Sequence, residues 1–176
     1  MNKLNDKEVK NFVRDIPDFP KKGIVFKDIT PLLKHPVVFR HILDEMVNAL
    51  KDLNIRYVVG IESRGFIFSP VLAYRLGAGF IPVRKKGKLP YQTEEISYQL
   101  EYGEATLEIH KDAIESGARV IVVDDLLATG GTALAAAELV EKLGGQVARI
   151  VFLVELLFLK GREKLSKYDI FSLIQF

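Results

Sequence analysis

The sequence predicts an α/β domain built on a mostly parallel sheet flanked by helices. Three observations predict it. Short, nearly uninterrupted β-branched runs recur along the chain, stretches of helical periodicity separate them, and 48% of the 176 residues are hydrophobic, enough for one full core. Runs that are apolar at every position suit strands buried on both faces, and strands alternating with helices pair in parallel. Ligands of such folds bind at the carboxyl ends of the strands.

Taken in order, Val37 to Leu50 carries mixed helical periodicity and Tyr57 to Ile61 (YVVGI) reads as the first buried strand. A helix is expected from Phe66 to Leu76, after Gly65, and a strand from Phe80 to Val83 (FIPV). Arg84, Lys85, Lys86, Gly87, Lys88, Leu89 and Pro90 then form a charged connection of the kind found in mobile surface loops. From Ile96 to Tyr102 the apolar residues fall at every second position, and Ala105, Leu107 and Ile109 repeat that period after Gly103 and Glu104. A two-residue period broken by a glycine predicts an antiparallel hairpin. Val120 to Val123 (VIVV) is a buried strand; Ala133 to Leu143 is a helix with a stripe at Ala136, Leu139, Val140 and Leu143, stopped by Gly144 and Gly145. Val147 to Val154 is the last buried strand expected. The surrounding stretch to Leu159 carries Arg149 and Glu155 and falls well short of the ~20 apolar residues of a membrane span.

Composition excludes several classes of function. Lys and Arg total 25 against 23 Asp and Glu, a net charge of +2, far from the basic balance of a dedicated nucleic-acid binder. With no cysteine, the chain has no disulfide, thiol nucleophile or Cys-ligated metal. The polar start, MNKLNDKEVK, and the end, FSLIQF, lack the patterns of secretion and lipidation, so a cytoplasmic location and no membrane partner are expected. No repeat or linker divides residues 1–176, which are expected to form one domain with an N-terminal appendage. His35, His41 and His110 show no ligand spacing.

The sharpest local pattern is VIVVDDLLATGGT, from Val120 to Thr132. A buried strand delivers Asp124 and Asp125 to the sheet edge, and a glycine turn enters a helix. Backbone NH groups of Ala128, Thr129, Gly130, Gly131 and Thr132, with the two threonine hydroxyls, can cradle a phosphate at the helix dipole's positive end. Acids beside a phosphate repel it; they suit ribose hydroxyls or a substrate-borne metal. The acid pair alone is equally what a solvated loop carries; strand, acids and glycine turn together point to ribose phosphate. Neither a dinucleotide fingerprint nor a Walker loop fits: Gly77, Ala78 and Gly79 lack the third glycine, and Gly87-Lys88 is followed by Leu89.

VIVVDDLLATGGT resembles the phosphoribosyl pyrophosphate signature of the type I phosphoribosyltransferases. DFPKKGIVFKDITPLL from Asp18, GIESRGFIF from Gly60, VRKKGKLP from Val83, SYQLEYGEATLEIHKDAI from Ser97 and LVELLFLKGREKL from Leu153 narrow the resemblance to the members acting on adenine. The resemblance implies the type I fold, with a flexible β-hairpin lid and a small N-terminal hood, from about residues 1–35, that binds the base. It implies that Asp124 and Asp125 hold the ribose and face magnesium, and that Ala128 to Thr132 grip the 5-phosphate. Ser63, Arg64, Arg84, Lys85 and Lys88 are the implied pyrophosphate contacts, with a cis peptide at Glu62-Ser63 and Lys88 within reach of a neighbouring subunit. A cation run alone is also what a solvated surface carries.

Adenine is implied to stack on Phe26 and to be read by backbone groups near Val25 and Lys27; Arg is common in the family where Lys27 stands. A carbonyl acceptor there matches a 6-amino group and mismatches a 6-oxo purine. Glu101 is the implied acid/base at the purine imidazole and, with Arg64, the implied catalytic group; Tyr102 closes over the site. The implied activity is transfer of the 5-phosphoribosyl group from phosphoribosyl pyrophosphate to adenine, giving AMP and pyrophosphate. Magnesium accompanies the substrate, no metal is held by protein ligands alone, and the protein is a homodimer. The alternatives are a 6-oxopurine (xanthine-type) transferase and a non-enzymatic sensor of phosphoribosyl pyrophosphate.

Overall fold

The computed structural model describes residues 4–99 and 103–176, without the side chain of Asp6. The chain divides into two units, Met1–Glu45 and Met46–Phe176. In the first, a short helix α1 (Asp6–Lys10) carries an Asn5/Glu8 capping box, and β1 (Arg14–Pro17) pairs antiparallel with β2 (Val25–Asp28). The peptide between Phe19 and Pro20, in the connection of this ribbon, is cis. Helix α2 (Thr30–Lys34) follows, and α3 (Pro36–Leu50) leads into the second unit.

The second unit is built on a seven-stranded sheet. Its strands are β3 (Tyr57–Ile61), β4 (Gly79–Lys85), β5 (Thr93–Gln99), β6 (Glu104–His110), β7 (Arg119–Leu127), β8 (Gln146–Glu155) and β9 (Ile170–Gln175). The order is β5-β6-β4-β3-β7-β8-β9; the five strands from β4 to β9 in that order are mutually parallel, and β6 is antiparallel to both β4 and β5. Helix α4 (Ser69–Leu76) packs on β3 and β4, and α5 (Gly131–Lys142) on β5 through β8. The core lies between sheet and helices: Val59, Ile61, Val122, Ala136, Leu139 and Phe152 are all essentially inaccessible. The apolar runs thus do what their composition requires, filling the middle strands on both faces. No helix among the described residues is long and apolar enough to cross a membrane.

Four boundaries differ from the sequence reading. Strand β7 continues through both aspartates to Leu127, since its pairing with β8 runs to Leu127↔Glu155. Helix α5 starts at Gly131, so Thr132 sits in its first turn. The helix expected from Phe66 is broken at Phe68 into a 3₁₀ turn (Arg64–Ile67) and α4, whose early Pro70 has no NH to contribute and fits a helix start. Arg84 and Lys85, expected in the charged loop, belong to β4, opposite Glu108 and Leu107 of β6. The expected hairpin is β5 and β6, with Ile96↔Leu107 and Tyr98↔Ala105 on its apolar face. β9, where mixed composition hides the period, was not expected.

Candidate active site

β3 continues into β4 on one side of the sheet and β7 into β8 on the other. Right-handed crossovers send the two following helices to opposite faces, which opens a crevice at the carboxyl ends of β3 and β7. A cavity of about 520 Å³ lies there. Glu62, Ser63 and Arg64 enter it from the end of β3, Lys85 and Lys88 from β4 and its extension, and Asp124 and Asp125 from β7. Tyr98 of the hairpin and Thr132 of α5 complete the rim. A smaller cavity of about 70 Å³, lined by Ala128, Thr129, Gly130, Gly131 and Thr132, shares Asp124 and Thr132 with the first.

The acid side is tightly built. Asp125 is buried and forms an ion pair with the Arg64 guanidinium, while Asp124 Oδ1 accepts the Asp125 backbone NH at 2.9 Å. Burial, and then the neighbouring Asp125 charge, pushes the Asp124 carboxyl well above the ordinary aspartate range. A cation carried in by a ligand would relieve that repulsion, so the pair fits a substrate-borne metal. Gly65 is required here: a Cβ at this position would stand 2.6 Å from the Val123 carbonyl, so only glycine lets the turn after β3 lie against β7.

The cation side has a different organisation. Arg84 donates twice to Glu62, at 2.8 and 3.2 Å, and Lys85 NH donates to the same carboxylate at 3.3 Å. The Arg84 hydrogen bond outweighs partial burial and holds Glu62 below the usual carboxylate range. The peptide Glu62-Ser63 is cis. Lys85 and Lys88 line the cavity; Arg84 does not, being committed to Glu62 and to the Lys88 carbonyl at 3.0 Å.

The glycine turn after β7 has a geometry that can hold an anion. Gly130 has φ +81° and precedes α5, so the turn's NH groups and the helix dipole converge on one spot. Behind it, a Cβ on Gly161 would stand 2.3 Å from the Ala128 carbonyl, and one on Gly130 2.7 Å from the Gly161 carbonyl. Gly161 begins α6 (Gly161–Lys164), whose Arg162 grips buried Glu155 at 2.7 and 2.8 Å. In front, Tyr98 OH and Thr132 Oγ1 are 3.1 Å apart, which ties the hairpin to the glycine turn.

Of the expected base-binding residues, Val25 is exposed, Phe26 packs edge-on against Phe19 with ring centres 5.3 Å apart, and Lys27 Nζ contacts Asp15 at 2.6 Å. These lie in the first unit. Glu101 and Tyr102 fall outside the described residues. Glu62, Tyr98, Glu108, Glu155 and Gly161 were not singled out from sequence. Only Gly161, in a short charged stretch after an apolar strand, carries a local signal.

A phosphoribosyl transferase domain model matches residues 28–175. The adenine phosphoribosyltransferase of Thermosipho melanesiensis is 57% identical over 169 residues, covering 96% of this chain and 97% of that protein. Among solved structures, adenine phosphoribosyltransferase from Thermoanaerobacter pseudethanolicus superposes with a TM-score of 0.94 at 57% identity, covering 97% of this chain and 99% of that one. The Saccharomyces cerevisiae enzyme, solved with an imino-altritol bisphosphate and adenine, is 45% identical with a TM-score of 0.90, covering 96% and 98%.

Proposed function

The chain belongs to the phosphoribosyl transferase family, and from that membership we propose how its residues carry out 5-phosphoribosyl transfer from phosphoribosyl pyrophosphate to adenine, giving AMP and pyrophosphate. The named relatives favour adenine over a 6-oxo purine. The observation that carries the assignment of roles is the single cavity lined by cations on one wall and an acid pair on the other, with a phosphate cradle adjoining it.

A purine ring nitrogen bonds to the anomeric carbon of the ribose as the bond from that carbon to pyrophosphate breaks with its electron pair. The ribosyl centre gathers oxocarbenium character, so catalysis rests on the leaving group's charge and on the placing of the base. Lys85, Lys88, Arg64 and the Ser63 backbone meet the pyrophosphate, and Arg84 contributes at one remove through Lys88. Asp124 and Asp125 accept from the ribose hydroxyls, and Ala128 to Thr132 hold the 5-phosphate. Asp124 and Asp125 would face magnesium brought by the diphosphate, and the metal would supply neutralisation of the leaving group's charge. Phe26 stacks on adenine, backbone groups of Val25 and Lys27 read its edge, and Glu101 takes the ring proton. Tyr102 covers the site.

The whole chain acts as one phosphoribosyltransferase domain with an N-terminal hood at about 1–35, and works as a cytoplasmic homodimer. Sedimentation at twice the chain mass checks the dimer. Titration calorimetry with phosphoribosyl pyrophosphate checks the roles: affinity increases with magnesium, and Thr132→Val and Lys88→Ala each weaken it by roughly 10-fold or more, the value of a hydrogen bond to a charged group. Unchanged affinity in both variants contradicts the assignment.

A further inference from the structure

Lys88 lies beyond the end of the β4 ladder. Lys86 NH still donates to Thr106 O at 3.1 Å, and Gly87 then turns the chain with φ +82°. A lysine on such a turn has a long side chain and no strand to aim it. Its peptide groups are nonetheless held on both sides. Glu108 Oε1 accepts the NH of Lys88 and the NH of Leu89, each at 2.7 Å, while Arg84 Nη1 donates to the Lys88 carbonyl at 3.0 Å.

Glu108 is an unusual residue to find in that position. It alternates with Leu107 and Ile109 on β6, where a glutamate ordinarily faces water, yet it is only 3% exposed. Burying a carboxylate is costly unless its oxygens are satisfied. Here the satisfaction comes from the turn's backbone NH groups. Burial raises its proton affinity, but the NH groups of Leu89, Gly87 and Lys88 more than offset this and hold Glu108 ionised below the usual range.

We propose that Glu108 is a positioning residue for phosphoribosyl transfer: with Arg84, it clamps the Lys88 peptide and so presents the Lys88 ammonium to the substrate diphosphate. Glu108 itself touches no substrate. The inference rests on the reading of Lys88 as a diphosphate contact.

Steady-state kinetics of Glu108→Leu, Glu108→Gln, Lys88→Ala and the Glu108→Leu/Lys88→Ala double variant test it. Glu108→Leu is expected to raise KM for phosphoribosyl pyrophosphate by roughly 10- to 100-fold and leave KM for adenine within about twofold. Glu108→Gln, which keeps an acceptor oxygen without the charge, is expected to show a selective rise of only about two- to fivefold. In the Lys88→Ala background, Glu108→Leu adds little. The proposal is overturned if both KM values rise together, if Gln rescues no better than Leu, or if the effects of Glu108→Leu and Lys88→Ala add in full. Should Glu108→Leu fail to fold, a Glu108→Gln enzyme with an unchanged KM for phosphoribosyl pyrophosphate also overturns it. A normal KM in Lys88→Ala instead removes the reading of Lys88, and this inference with it; a raised KM there with none in Glu108→Leu removes the inference alone.

Discussion

Asp124 sits beside Asp125 at the end of a buried strand, its pKa raised by burial and by the neighbouring charge. An acid with a raised folded pKa destabilises the fold as it ionises, so in the free protein Asp124 opposes stability at neutral pH. Asp124→Asn keeps the oxygen that accepts the Asp125 NH and removes the repulsion. We expect it to raise Tm by about 2–4 °C, on the order of 1 kcal/mol, while lowering turnover; calorimetry and a rate assay on one preparation check both. A lower Tm would mean that Asp124 is not strained by its neighbour. At Glu101, Ala should lower kcat by roughly 10²- to 10⁴-fold with little change in adenine affinity, as loss of general acid/base catalysis does. Affinity loss without a kcat effect would assign Glu101 to binding. The acids and the glycine turn were legible because all their signals lie within thirteen neighbouring residues. Glu108 was not, because its burial depends on a turn twenty residues earlier folding over it.

At the scale of elements, the turn proposed as the phosphate cradle is shaped by what lies behind it as much as by its own glycines. α6 is a single short turn, yet Gly161 fits under the Ala128 carbonyl and Arg162 anchors the turn to Glu155 of β8. Gly161→Ala would place a Cβ 2.3 Å from a backbone oxygen that has no freedom to rotate away. Overpacking of this kind costs about 1–3 kcal/mol and displaces the cradle. The expected outcome is a loss of AMP affinity larger than the loss of adenine affinity, measured by calorimetry. Equal losses would place the strain elsewhere. The middle strands were readable because double-sided burial writes itself as unbroken apolar runs. The end of β4 was not, since Arg84 and Lys85 read as loop residues until Glu62 and β6 supply their partners. The 3₁₀ break at Phe68 likewise depends on packing that no local period records.

At the scale of the whole molecule, the described carboxylates held below their ordinary values include the buried or part-buried Glu62, Glu108 and Glu155, each below the ordinary glutamate value of 4.5. Hydrogen bonds from Arg84, from the turn NH groups and from Arg162 prevail over burial in each case. Each binds its proton more weakly folded than unfolded. Their stabilisation is therefore complete above the unfolded value and lost as pH falls through the lower folded ones; Asp124 acts in the opposite sense. Urea midpoints should fall between about pH 6 and pH 3, with a shallower fall in Glu155→Gln than in the wild type. An equal slope in that variant would show that Glu155 is not a source of acid sensitivity. The net charge of +2, unremarkable as a total, conceals cations at the end of β4 and in the turn after it, and acids at the end of β7, lining one cavity. That separation was legible in sequence; that Arg84 supports the cation wall without lining it was not. The identity of the transfer is tested by initial-rate pyrophosphate release from phosphoribosyl pyrophosphate across adenine, hypoxanthine, guanine and xanthine. Release with adenine should stand far above that with the three 6-oxo purines; equal or greater release with any of those three, or none with adenine, would show that adenine is not the acceptor.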